Sequence, residues 1–356
     1  NRTNPKQVLE LNKENYLLEL VLVTANTPSQ RVLVEITKAD VERTIAQLQR
    51  GVANPSLGRR YLRPAQRLYR WLISPLEDVL STQDINHLAF VLPSGLRALP
   101  LATLHNGNGF LIERYSVGIM PSVGLTNLDY SDVRSSEVLA TGASTFLDQP
   151  DLPAVPLELK TIANTLWPGR FFLNEAFTPE RILANRQRRR YRILHLATHG
   201  EFRAGDPSNS YIQFWDQRVT LDQLPSLSLN NPPVDLLVLS ACRTALGNRE
   251  AELGFAGLAV QAGVKTAMAS LWKVDDVGTA GLMTEFYANL RHSTMRAEAL
   301  RQAQLAMARG DVVVESGKLL WTEGSLTMPP TLSNATRTIL NHPFYWASFT
   351  LIGSPW

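Results

Sequence analysis

Apolar and polar positions divide the chain into runs of two different periods. The stretch 16–36 holds two apolar, β-branched runs around Asn26-Thr27-Pro28-Ser29, which predicts a hairpin with a longer loop. Val41, Ile45 and Leu48 then recur at helical spacing within 37–51. The pattern over 63–80 predicts a helix interrupted near Pro75, and 87–93 reads as a short buried strand. Residues 109–122 predict two further short strands or a hairpin.

From about residue 136 strands and helices alternate. Strands are predicted at 137–144, 170–174, 192–200, 234–242, 265–272 and 346–353, with a small hairpin at 211–219. Helices are predicted at 157–167, 178–189, 253–263, 278–291 and 295–310. Such alternation indicates βαβ units and a mainly parallel sheet. The near-continuous apolar runs 193–198 and 235–241 suit central strands covered on both faces. The stretch 311–342, with Gly317, Gly324, Pro329 and Pro330, reads as a long loop. The expected division is a supporting α+β region over 1–135 and an α/β domain over 136–356.

Composition narrows the classes. The 356 residues are 44% hydrophobic and 19% charged, with a net charge of +3, so general nucleic-acid or membrane electrostatics are not implied. The single cysteine forms no internal disulfide, which fits a reducing compartment, and it excludes a four-thiolate zinc site. No run approaches the ~20 apolar residues that span a bilayer, and the polar start lacks the apolar core of a signal peptide. A cytoplasmic protein without membrane or nucleic-acid partners is expected. Because the first residue is Asn1, not Met, the chain is expected to be part of a longer one.

In an open parallel sheet, ligands bind beyond the carboxyl ends of the strands. Two predicted strands end in reactive residues, one in His199-Gly200 and the other in Ser240-Ala241-Cys242. On neighbouring strands ~4.8 Å apart, the imidazole and thiol are within reach of each other, as nucleophilic catalysis by a thiolate requires. The N–H groups of Gly200 and Cys242 are candidates for an oxyanion hole, worth ~3–4 kcal/mol per donor. No carboxylate at obvious spacing orients His199, so a dyad is expected and not a triad. A buried, inert cysteine is the plain alternative.

The remaining signals are weaker. His195 and His199 on one strand lie ~13 Å apart, too far to share a metal, and His195 reads as a core residue. The basic run 185–192 reads as a solvated helix end, with nucleic-acid binding through 186–192 as a rival. Gly107 and Gly109 lack the third glycine of a dinucleotide fingerprint and predict a turn. Asp275-Asp276 follow a strand end, either as helix caps or as a pocket lining that pairs with a basic side chain.

The blocks "LHLATHGEF", "DLLVLSACRTALG", "GFAGLAVQAGVKTAMASLWKVDD", "LMTEFYANL" and "FYWASFTLIG" resemble the CHAT domain. "LYRWLISPLEDVL" and "LAFVLPSGLRALPLATLHNGNGFLIERYSVGIMPS" extend the resemblance over roughly 60–354. This is a caspase-like, separase-related domain of cysteine peptidases, widespread in bacteria and often found with tetratricopeptide repeats.

The resemblance implies a caspase-like fold whose N-terminal half is a degenerate protease-like region integrated with it. It puts the family's catalytic histidine on His199 and its nucleophile on Cys242. "WKVDD" is similar to the separase phrase whose acid binds a basic P1 residue, which implies Asp276 in that role, with Asp275, Ser240 and Trp272 around it. The expected function is a cysteine endopeptidase cleaving a protein substrate after Arg or Lys, without cofactor or metal. It would be controlled by a partner or an upstream tetratricopeptide-type region, because the short segment after Cys242 has no long linker to cut. A non-catalytic peptide- or protein-binding module on the same fold is the alternative.

Overall fold

The protein is described by a computed structural model over residues 17–93, 95–124, 126–127, 129–202, 206–244, 263–333 and 336–356. At 17, 202, 207, 221 and 241–244 the description is of the backbone. The helix expected at 253–263 lies outside the described residues, apart from the turn residue Gly263.

The chain opens with a hairpin, β1 (Leu17–Leu22) and β2 (Gln30–Glu35), antiparallel with Leu17 opposite Glu35. Helix α1 (Lys38–Val52) follows, capped by the Thr37 side chain, which accepts from Asp40 N at 3.1 Å. The predicted interruption at Pro75 divides α2 (Leu62–Leu72) from α3 (Glu77–Thr82) with a 3₁₀ turn at Ser74–Leu76. After β3 (His87–Phe90), the segment expected to form two strands or a hairpin forms one strand, β4 (Ser116–Ile119), preceded by a 3₁₀ turn at Leu111–Glu113. There the Glu113 carboxylate accepts from Phe110 N at 2.7 Å and keeps the chain turned.

The alternating part comprises β5 (Glu137–Gly142), α4 (Val155–Thr161), β6 (Gly169–Leu173), α5 (Pro179–Arg188) and β7 (Tyr191–Phe202). A small hairpin, β8 (Tyr211–Gln213) and β9 (Arg218–Thr220), precedes β10 (Leu236–Thr244) and β11 (Thr266–Ser270). Then come α6 (Asp276–Leu290) and α7 (Arg296–Arg309), which ends on Gly310 at φ 86, a left-handed cap suited to glycine.

The stretch 311–342 departs from the loop reading. It carries β12 (Val313–Glu315), β13 (Lys318–Trp321), β14 (Gly324–Thr327) and β15 (Thr338–Ile339), a separate four-stranded sheet in the order β14-β13-β12-β15. Gly317 does not break structure there. Ser316 and Gly317, at φ 51 and 74, form the two-residue turn between β12 and β13, where positive φ matches the strand twist. The short helix α8 (Pro343–Trp346) leads into the final strand, β16 (Phe349–Gly353).

The ten-stranded sheet has the order β3-β4-β16-β11-β10-β7-β5-β6, with β8 and β9 added beside β7. Strands β11, β10, β7, β5 and β6 are mutually parallel. β16 runs antiparallel to β11, and β4 and β3 run parallel with β16. The fold is therefore α/β, mainly parallel and flanked by helices, with the N-terminal region contributing strands to the same sheet. Residues 236–240 of β10 are buried without a break, as expected of a strand covered on both faces. Beneath it, at the amino ends of the strands, buried Asp235 accepts from Arg192 and from Ser131 Oγ, and Lys265 Nζ lies 3.4 Å away. No helix among the described residues is long and apolar enough to cross a membrane.

Candidate active site

The carboxyl ends of β5, β7, β10 and β11 open at one edge of the sheet. There β7 and β10 pair in parallel, Val238 with His195 and Ser240 with Ala197. The register then shifts, so that Cys242 pairs with Gly200. Two residues of β7, Thr198 and His199, thus stand against the single Ala241, a β-bulge that re-aims the end of the strand. The backbone of Cys242 and the His199-Gly200 pair are in this way on adjacent strands at the same level. β5 can approach β7 here because position 142 is glycine: a Cβ on Gly142 would lie 2.1 Å from the Ala197 carbonyl oxygen.

His199 is half-buried and held from the loop that follows β5. Its Nε2 is 2.7 Å from the Pro150 carbonyl oxygen, and its ring lies 4.6 Å, centroid to centroid, from Phe146. A carbonyl only accepts, so Nε2 carries the proton in this contact. Neither Pro150 nor Phe146 stood out in the sequence, and a backbone carbonyl leaves no side-chain signature to find.

The same segment reaches Asp276. Ala154 N donates to Asp276 Oδ2 at 2.8 Å, at the start of α6. Burial pushes the Asp276 carboxyl up to about 7, with Glu158 and Asp275 adding to the rise against the lowering effect of the Ala154 N–H. Asp275 caps α6, its Oδ1 accepting from Gly278 N at 2.8 Å, which is the capping role weighed from the sequence. Trp272 is buried, and its indole N–H donates to the Phe344 carbonyl at 3.2 Å.

Ser240 is buried on the opposite side of the bulge from Cys242 in sequence, and its hydroxyl donates to Glu158 Oε1 at 2.6 Å. His195, fully buried, has Nε2 at 2.9 Å from the same Oε1 and Nδ1 at 3.2 Å from the Tyr287 hydroxyl. His195 is thus a core histidine with partners on both nitrogens. Glu158 was not recognised from the sequence, yet a signal was there. Val155, Leu159 and Ile162 form a buried stripe on α4 and the turn after it, and Glu158 occupies a position in that stripe.

The basic run is largely taken up within the molecule. Buried Arg186 donates to the Leu227, Ser228 and Pro232 carbonyls, Arg189 pairs with Glu137 at 2.9 Å, and Arg192 pairs with Asp235. Among the described residues no group of three or more His, Cys, Asp or Glu is placed to hold a metal ion.

Comparison with known proteins gave three findings. A family model described as the CHAT domain matches residues 62–354. No curated protein matches the chain. Among solved structures, the Arg-specific cysteine proteinase gingipain R (RgpB) overlays with a TM-score of 0.46 at 12% identity, over 89% of this chain and 74% of that one. The complex of the Porphyromonas gingivalis RgpB pro- and mature domains gives the same score and identity, over 89% and 76%.

Proposed function

Since the chain belongs to the CHAT domain family, whose model matches residues 62–354, we propose that it is a cysteine endopeptidase working through Cys242 and His199. The observation that carries this reading is the pairing of Cys242 with Gly200, beside a histidine whose Nε2–H is fixed by the Pro150 carbonyl. That hydrogen bond fixes the orientation of the imidazole and makes one of its nitrogens a donor.

In the proposed reaction the Cys242 thiolate adds to the scissile carbonyl carbon, and the Gly200 and Cys242 N–H groups hold the oxyanion. The C–N bond then breaks as His199 gives its proton to the departing amine. Water adds to the thioester, His199 takes up its proton, and the thiolate leaves with the acid product released. A basic P1 residue is the proposed preference, supported by Asp276, the acid at the amino end of α6 nearest the His199 loop through Ala154. Control by a partner or an upstream region completes the proposal, in keeping with the short stretch 243–254 after Cys242, which offers no long linker to cut.

The test is mass spectrometry of Cys242 after treatment with an arginine-type acyloxymethyl ketone, which labels only a thiol activated within a matching pocket. We expect labelling that is lost in His199→Ala and weakened in Asp276→Asn. Labelling by an aspartate-type probe in preference to the arginine type would overturn the specificity. Absence of labelling by both, in a chain joined to its natural upstream region, would replace the peptidase with a binding module.

A further inference from the structure

Glu158, His195, Ser240 and Tyr287 form a polar cluster in the core directly beneath the dyad, and none is more than 2% exposed. Its hydrogen bonds close on one another. Ser240 donates to Glu158 Oε1, His195 Nε2 faces the same oxygen, and the Tyr287 hydroxyl meets His195 Nδ1. Burial, and the Glu158 charge after it, hold the Tyr287 hydroxyl well above its ordinary range, so it stays a donor. Apolar residues of similar volume usually stabilise such a place at least as well as a buried charge, so the cluster calls for a role other than stability.

Its position supplies one. Ser240 and Ala197 are the last in-register pair of β10 and β7 before the bulge that brings Cys242 opposite Gly200. A bulge inserts one unpaired residue, and a slip of one residue reverses the face of every side chain beyond it. Glu158 holds both strands just below that point, through Ser240 on β10 and His195 on β7. Both bonds converge on one oxygen, so the two strands cannot shift relative to each other without breaking one of them.

We propose that Glu158 is a positioning residue for Cys242 and His199, acting through Ser240 and His195 to fix where the bulge falls. The proposal rests on the peptidase reading above. Misplacement of a reacting group by about 1 Å can lower a rate ~100-fold, so a modest slackening of this tie is visible in turnover.

Ser240→Ala is the informative variant, because it removes one buried bond without leaving a charge. We expect kcat to fall roughly tenfold or more with KM within about twofold, and iodoacetamide alkylation of Cys242 at neutral pH to slow in step. Glu158→Gln, whose amide oxygen still accepts both bonds, should retain most of the rate, whereas Glu158→Ala should not. Thr266→Ala serves as the control: it removes a buried hydroxyl that donates to the Ser354 carbonyl at 2.6 Å on the next strand. It should lower the melting temperature and leave kcat alone. A Ser240→Ala protein that loses no more kcat than Thr266→Ala, or that changes KM alone, would overturn the proposal, the second result marking Ser240 as substrate-binding. If the wild-type thiol alkylates but no peptide is cleaved, the peptidase reading fails. The alkylation rates of the same variants then decide the positioning role by themselves.

Discussion

Asp276 accepts from the backbone of the segment that also holds His199, and the proposed function gives the same carboxylate a basic P1 residue to bind. Its folded value is raised to about 7 from an ordinary 3.8, so the folded protein binds that proton more tightly than the unfolded chain. Stability from this group is therefore greatest at low pH, declines as pH rises from about 4 to about 7, and is level above. Asp276→Asn keeps an acceptor for Ala154 N and removes the charge. Its melting temperature should exceed that of the wild type above pH 7, with the difference vanishing below pH 4. In the same window the wild-type KM for arginine substrates should rise as pH falls through about 7, and thermal melts beside steady-state kinetics check both. At this scale the sequence singled out His199 and Cys242 because reactive residues at the ends of two apolar strands are rare, and the fold sets those strand ends side by side. It hid Pro150, which acts through a carbonyl, and it hid Glu158, whose partner lies 37 residues away.

Among elements, the close approach of β5 to β7 is the most exacting contact near the site. A methyl at 142 would drive its Cβ into the Ala197 carbonyl, so Gly142→Ala must part the strands or twist one of them. We expect a loss on the order of 3 kcal/mol, measured by urea denaturation, together with slower Cys242 labelling. The described strands and helices of 137–244 and 263–310 were legible from their apolar runs and the turn residues between them. Even α6 was placed within two residues, and its true start is set by the Asp275 cap. The stretch 311–342 was not legible, because glycine is both a breaker and the residue that tight hairpins require. Ser316-Gly317 serves the second purpose, and only the pairing of Val313 with Leu320 tells the two apart.

For the whole molecule, the sheet makes the N-terminal region part of the same hydrogen-bonded body, since β4 pairs with β16. A fragment of residues 136–356 would leave that edge of β16 bare. It should aggregate or lose its near-ultraviolet circular dichroism, whereas the intact chain stays monodisperse in sedimentation. The reversal of direction between β11 and β16 also gives the molecule two poles. Strands β5, β6, β7, β10 and β11 deliver their carboxyl ends to the pole that holds His199 and Cys242. Strands β3, β4 and β16 deliver theirs to the far one. Chain added after β3 or β4 therefore emerges about as distant from His199 and the backbone of Cys242 as the sheet allows. A regulator grafted there cannot act as a plug and must pass its message through the strands themselves.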